Sequence, residues 1–183
     1  MHPMIHVLVR GAVTGCAVLG LLGCGRPAVR PDGGKGPIPV GAFAPEVAGY
    51  DAQAREVRLS AQRGHPTIVY FYPKDGTPGC TKEACAFRDV WARFETAHVT
   101  VIGVSSDSAE KHAEFLREKR LPFALASDPA GTVAASYGVA TGFWGYDRVT
   151  FLVAGDGRVA RYWADVDPGV HATEVLAVAE TLK

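Results

Sequence analysis

The sequence predicts an α/β domain, and three observations carry that prediction. From residue 65 onward, segments of strand type alternate with segments of helical period, the pattern of helices laid on a sheet. The chain of 183 residues is 48% hydrophobic, enough for one sizeable core. At the first strand-to-helix junction stands Pro73-Lys74-Asp75-Gly76-Thr77-Pro78-Gly79-Cys80, a turn that leads a thiol into the start of a helix.

Taken in order, residues 67–72 (TIVYFY) are β-branched and aromatic and read as a strand. A helix is expected over 78–97, since Ala84, Phe87, Val90, Trp91 and Phe94 recur at helical spacing. Thr77 suits its N-cap, Pro78 its first position and Cys80 its third. Residues 99–105 form the next strand, followed by a helix opened by Asp107 with Glu110 at capping-box spacing. A short strand at 123–126 precedes Asp128-Pro129, a helix start. Strands at 149–154 and 158–163 flank Gly155-Asp156-Gly157, a hairpin signal. Asp167-Pro168 opens a terminal helix with Val170, Val175, Leu176, Val178, Ala179 and Leu182 on its apolar face.

A cysteine in the first turn of a helix has a chemical consequence. The N–H groups of that turn lack intrahelical partners, and with the helix dipole they stabilise a thiolate at Cys80. The thiolate, not the thiol, is the nucleophile.

The segment with Pro73, Thr77 and Cys80, and Cys85 five residues further on, resembles the Q-type peroxiredoxins, also called bacterioferritin comigratory proteins. The resemblance extends through Gly103-Val104-Ser105-Ser106-Asp107, Ser127-Asp128-Pro129, Tyr137-Gly138-Val139, Arg148-Val149-Thr150-Phe151-Leu152-Val153, Val166-Asp167 and His171, and so covers about residues 42–183. It implies a thioredoxin-like fold, a central mixed sheet flanked by helices, with the N-terminal extension peroxiredoxins carry. It also implies a thiol-dependent peroxidase that reduces hydrogen peroxide and alkyl hydroperoxides. In that chemistry Cys80 attacks the peroxide and becomes a sulfenic acid, Cys85 resolves it as an intramolecular disulfide, and a thioredoxin-like dithiol reductant restores both thiols. Thr77 would orient sulfur and peroxide, Pro73 would shield the thiolate from water, and Arg148 would donate hydrogen bonds to the reacting atoms. No metal, haem, flavin or nucleotide cofactor is required. A resolving cysteine in the same subunit makes a monomer the expected state.

Composition narrows the partners. Lysine plus arginine and aspartate plus glutamate each number 19, for zero net charge, and the basic residues are scattered, which gives no support to nucleic-acid binding. Residues 1–23 read as a targeting segment: His2, His6 and Arg10 precede an apolar stretch from Gly11 to Gly23 that is short for a membrane span. It ends Leu21-Leu22-Gly23-Cys24, which resembles a bacterial lipobox, so cleavage would remove Cys16 and leave Cys24 as the lipidated N-terminus. An uncleaved anchor and an ordinary signal are the alternatives. The expected product is an exported lipoprotein facing the periplasm, and Gly25 in place of the aspartate that retains many lipoproteins favours the outer membrane. Residues 24–41, rich in glycine and proline with no hydrophobic period, read as a tether to a domain over 42–183.

Within that domain Cys80 and Cys85 are the only cysteines. A permanent disulfide suits an exported location. Against it, residues five apart on a helix are offset by about 7.5 Å along the axis and about 140° around it, beyond the roughly 7 Å between Cα atoms that a disulfide bridges. The reduced pair fits an intact helix and the oxidised pair does not, which favours a redox-active pair.

Each assignment has a bland competitor. Thr77 could serve only as an N-cap, Pro73 only as a strand end and Arg148 only as a surface charge. Phe143, Trp144 and Tyr146, just before Arg148, could form an apolar rim for organic hydroperoxides or pack in the core. His98, His112 and His171 show no metal-ligand spacing and read as surface or packing residues. Lys82 and Glu83 read as a solvated helix face. Two other functions stand beside the peroxidase: an exported thiol-disulfide oxidoreductase of the same fold, and a tethered binding domain with an inert disulfide. The oxidoreductase is disfavoured by the spacing, because Cys-x4-Cys replaces the usual Cys-x-x-Cys and no proline falls between Pro129 and Pro168.

Overall fold

The computed structural model describes residues 28–182. The peptide order is β1 (Ala48–Tyr50), β2 (Glu56–Arg58), β3 (Thr67–Phe71), α1 (Pro78–Asp89), α2 (Trp91–Thr96), β4 (Thr100–Ser105), α3 (Ala109–Lys119) and β5 (Ala124–Ser127). It continues with α4 (Thr132–Tyr137), β6 (Thr141–Gly142), β7 (Gly145–Tyr146), β8 (Val149–Val153), β9 (Val159–Trp163) and α5 (His171–Ala179). Seven strands form one sheet in the order β2-β1-β5-β4-β3-β8-β9. β3, β4 and β5 run parallel, and β8 and β9 complete one side antiparallel. The mixed sheet flanked by helices is the thioredoxin-like arrangement expected.

The strand sequences follow from burial on both faces. All five residues of β3 and of β8 are buried, which is why both read as continuous apolar runs rather than as alternations. Their side chains still alternate between two cores. Ile68, Tyr70 and Tyr72 join Cys80, Phe87, Val175 and Leu176 on one face, while Val69 and Phe71 join Ile102, Tyr137 and Phe151 on the other.

Several boundaries differ from the sequence reading, each for a local reason. The helix expected over 78–97 is two helices, because Val90 leaves helical geometry at φ −111°, ψ 14°. That break turns Trp91 onto Phe94 and Phe123, with ring centroids 6.0 and 5.9 Å away. Asp107 does not open α3: Ser108 caps it, its hydroxyl accepting from the Lys111 N–H. Asp107 is instead buried and accepts from the Ser105 hydroxyl and the Asp75 N–H. α4 starts after Gly131, and the Asp128 carboxylate accepts from the Ala134 N–H at 2.8 Å. α5 begins at His171, whose N–H bonds the Asp167 carbonyl.

The described part of the glycine- and proline-rich segment is packed rather than tethering. Ile38 is buried, its N–H donates to the Tyr137 carbonyl, and the Gly41 N–H donates to Val159. One buried residue and a few backbone bonds leave no periodic signature. Residues 1–27, with the targeting segment, Cys16 and Cys24, lie outside the described residues.

Candidate active site

The site is assembled by sheet register and one helix start. β3 pairs antiparallel with β8 up to Phe71↔Val149, so Arg148, one step further, is delivered beside the loop that leaves β3. That loop turns at Gly76, whose φ of +73° is the left-handed region glycine occupies without strain. Thr77 follows with extended N-cap dihedrals, Pro78 opens α1, and the Thr81 N–H makes the first helical bond, to the Thr77 carbonyl. The N–H of Cys80 therefore lies in the turn that the helix leaves unpaired.

Cys80 is a free thiol, 2% exposed. Its Sγ accepts a hydrogen bond from Arg148 Nη2 at 3.4 Å. Arg148 is partly buried, and burial alone would lower its pKa, but the Glu83 carboxylate and the Cys80 sulfur outweigh burial and raise it. Cys85 is a second free thiol, half-buried, one and a half turns along the same unbroken helix.

Glu83 corrects the sequence reading. Lys82 is solvent-exposed as expected, whereas Glu83 is fully buried and pairs with Arg148 Nη1 through Oε2. Three residues after Cys80, it lies on the same helix face, the one signal in the sequence that could have found it. Its other oxygen, Oε1, has no partner among the described residues. Burial pushes the Glu83 pKa up to about 7, against the lowering effect of Arg148.

Thr77 keeps N-cap dihedrals, but its side chain makes no capping bond; the hydroxyl donates to the Lys74 carbonyl at 3.0 Å. Pro73 is half-buried, and its carbonyl abuts Gly145 so closely that a Cβ there would come within 2.1 Å. The loop is braced from behind by a network with no signature in sequence spacing. The Tyr72 hydroxyl donates to Asp75 Oδ1 at 2.7 Å, and His112 Nδ1 lies 2.6 Å from Asp75 Oδ2. His112 and His171 are buried and hydrogen-bonded, His171 Nε2 lying 2.8 Å from Thr150 Oγ1, and His98 is exposed. Of the aromatic trio, Tyr146 is core, while Phe143 and Trp144 are exposed at the tip of the β6–β7 hairpin.

A buried thiol at a helix start, in contact with an arginine and with a second thiol in the same helix, can be compared with known proteins. The family model described as AhpC/TSA family matches residues 40–162. The chain belongs to the AhpC/TSA family. Within it the peroxiredoxins named Q or Bcp are close relatives. A putative peroxiredoxin bcp of Coxiella burnetii is 40% identical over 76% of this chain and 97% of its own length. Peroxiredoxin Bcp of Bacillus subtilis is 38% identical over 80% of this chain and 96% of its own. Among solved structures, peroxidoxin BcpB of Mycobacterium tuberculosis superposes with a TM-score of 0.71 at 33% identity, over 79% of this chain and 97% of that one. The bacterioferritin comigratory protein of Xanthomonas campestris, studied for alkyl peroxide reduction, gives a TM-score of 0.66 at 30% identity over 74% of this chain and 90% of that one. This peroxiredoxin is accordingly a thiol-dependent peroxidase, and the thiol-disulfide oxidoreductase and inert binding domain are set aside.

Proposed function

We propose that Cys80 is the peroxidatic cysteine and Cys85 the resolving one, in a peroxidase acting on hydrogen peroxide and alkyl hydroperoxides. The observation that carries the assignment is the Arg148 guanidinium on Cys80 Sγ at the first turn of α1. The thiolate attacks the terminal peroxide oxygen, an S–O bond forms as the O–O bond breaks, and the leaving oxygen takes a proton to depart as water or an alcohol. Arg148 and the free N–H groups of the first turn stabilise charge on the separating oxygens. Thr77 already spends its proton on Lys74, so its oxygen serves as an acceptor and holds the O–H of an incoming hydroperoxide. Pro73 limits water at the sulfur.

Cys85 then attacks the sulfenic sulfur, water leaves, and an intramolecular disulfide forms. A thioredoxin-like dithiol supplies the two electrons that reopen it. Since α1 is continuous between the two cysteines, its first turns unwind for this step. We further propose that the chain acts as a monomer and is exported as a lipoprotein held through Cys24 on a membrane facing the periplasm. Two variants test the division of labour. Cys80→Ser should lose peroxide consumption, while Cys85→Ser should turn over once and accumulate a sulfenic acid trapped by dimedone; catalytic turnover by Cys80→Ser refutes the assignment. Mass spectrometry of the mature N-terminus tests Cys24.

A further inference from the structure

Phe143 and Trp144 are 92% and 80% exposed, more than any other large apolar side chain among the described residues. They meet edge to face, with ring centroids 5.1 Å apart, at the tip of a hairpin whose stem is firmly held. The Asp147 N–H bonds the Ala140 carbonyl at 2.9 Å across its foot, the buried Tyr146 donates to Asp128, and Gly145 is wedged on the Pro73 carbonyl. The fold thus fixes two aromatic rings in water on a braced stem. Such a pair is a contact surface seeking an apolar partner.

The position of the chain's N-terminal end identifies that partner. A cavity of about 450 Å³ is lined by Ala140 and Asp147 at the foot of the stem, by Arg148 of the active site, and by Ala28, the first described residue. Ala28 lies four positions after Cys24, so an anchor at Cys24 holds this face within about 14 Å of the bilayer. The stem runs three residues from foot to tip, about 10 Å. The two reaches match. Tryptophan is at home at the level of lipid headgroups, where an apolar ring and a polar N–H are both accommodated.

We propose that Phe143 and Trp144 dock on the phospholipid surface to which Cys24 anchors the chain, and that this turns Cys80 and Arg148 toward hydroperoxides of phospholipid acyl chains. The inference rests on the lipoprotein reading given above. The chemistry is unchanged: the Cys80 sulfur gives two electrons to the O–O bond, the acyl-chain oxygen leaves as an alcohol after taking a proton, and the sulfenic acid forms. Docking is apolar, and the chain from Cys24 onward, without Arg10, carries 18 basic and 19 acidic residues, so binding should survive raised salt and not require anionic lipid.

The test uses the full-length protein from membranes, with Cys24 examined by mass spectrometry, on vesicles of phosphatidylethanolamine and phosphatidylglycerol carrying bromine on the acyl chains. Bromine should quench tryptophan emission, and Trp144→Phe should remove most of that quenching, since Trp163 is buried and Trp91 half-buried. The Phe143→Ser/Trp144→Ser double variant should consume vesicle-embedded phosphatidylcholine hydroperoxide at least tenfold more slowly, relative to its own rate on hydrogen peroxide. A lipidated wild type whose emission bromine leaves unchanged overturns the docking and spares the anchor. An unmodified Cys24 overturns both. A double variant that instead loses only its rate of reduction by a dithiol protein makes the tip a protein-docking site and overturns the membrane assignment.

Discussion

Replacing Glu83 with glutamine should change how the stability of this protein depends on pH. Glu83 is fully buried and titrates near 7 in the folded chain, against 4.5 for a free glutamate. Between those values the folded state holds a proton that the unfolded state has released, so stability falls as pH rises through the window. A shift of this size is worth about 2 to 3 kcal/mol between pH 5 and pH 8, at about 1.4 kcal/mol per pKa unit. The physical origin is the cost of an ionised carboxylate with one oxygen unpartnered in the core, which the single bond to Arg148 does not fully offset. Urea unfolding of the reduced wild type and of Glu83→Gln at pH 5 and pH 8 reads the effect directly. Groups titrating in both proteins cancel in the difference, and the variant should gain about 2 to 3 kcal/mol relative to wild type on going to pH 8. Curves that stay parallel over that range would refute the reasoning and return Glu83 to an ordinary ion pair.

Four further outcomes rest on the same geometry. Arg148→Ala should slow Cys80 oxidation by about 10² to 10³ in stopped-flow kinetics, with lysine restoring only part because it cannot fork between Cys80 and Glu83; unchanged kinetics would make Arg148 a structural residue only. Arg148→Ala should also destabilise the domain more at pH 8 than at pH 5, since Arg148 is what lowers the Glu83 pKa and its pairing with the ionised carboxylate is present only at the higher pH. His112→Leu removes a buried partner of Asp75, whose side chain is 8% exposed beside one that is 3% exposed; it should cost about 3 kcal/mol in urea unfolding and loosen the Thr77 loop, seen as faster amide exchange over residues 73–77. In the disulfide form, exchange over residues 78–88 should rise sharply relative to the dithiol form while β3, β4 and β8 stay protected, and equal protection in both forms would exclude unwinding.

The legible parts of this fold were those whose chemistry is local. Thr67 to Phe71 announce a buried strand, Gly155-Asp156-Gly157 a hairpin, and Thr77-Pro78 a helix start, because each depends on a few adjacent residues. The N-terminal hairpin β1–β2 and the hairpin β6–β7 went unseen, for strands of two or three residues have no period to detect. Ile38 was hidden for the same reason. At the site, Cys80, Cys85, Thr77, Pro73 and Arg148 were reached through a motif and a resemblance, and the structure brings Cys80 and Arg148 into contact. Glu83 was misread because a charged residue beside an exposed lysine is ordinarily solvated. What buries it is a guanidinium 65 residues away, brought in by the register of β3 with β8. The Tyr72–Asp75–His112 network is likewise a product of tertiary approach.

The interruption at Val90 sets how far a redox event can spread. A continuous helix over 78–96 would melt cooperatively, and drawing Cys80 toward Cys85 would pull on Trp91 and Phe94 as well. The break provides a ready-made helix end at Asp89, so α1 can fray from its first turn while α2 keeps its stack on Phe123. The opening is limited to a few backbone bonds of about 1 kcal/mol each, a cost that one disulfide can meet. If Cys80 and Cys85 pair as proposed, Val90 acts as a firebreak: the cysteines change partners in each cycle while the aromatic floor beneath them stays folded.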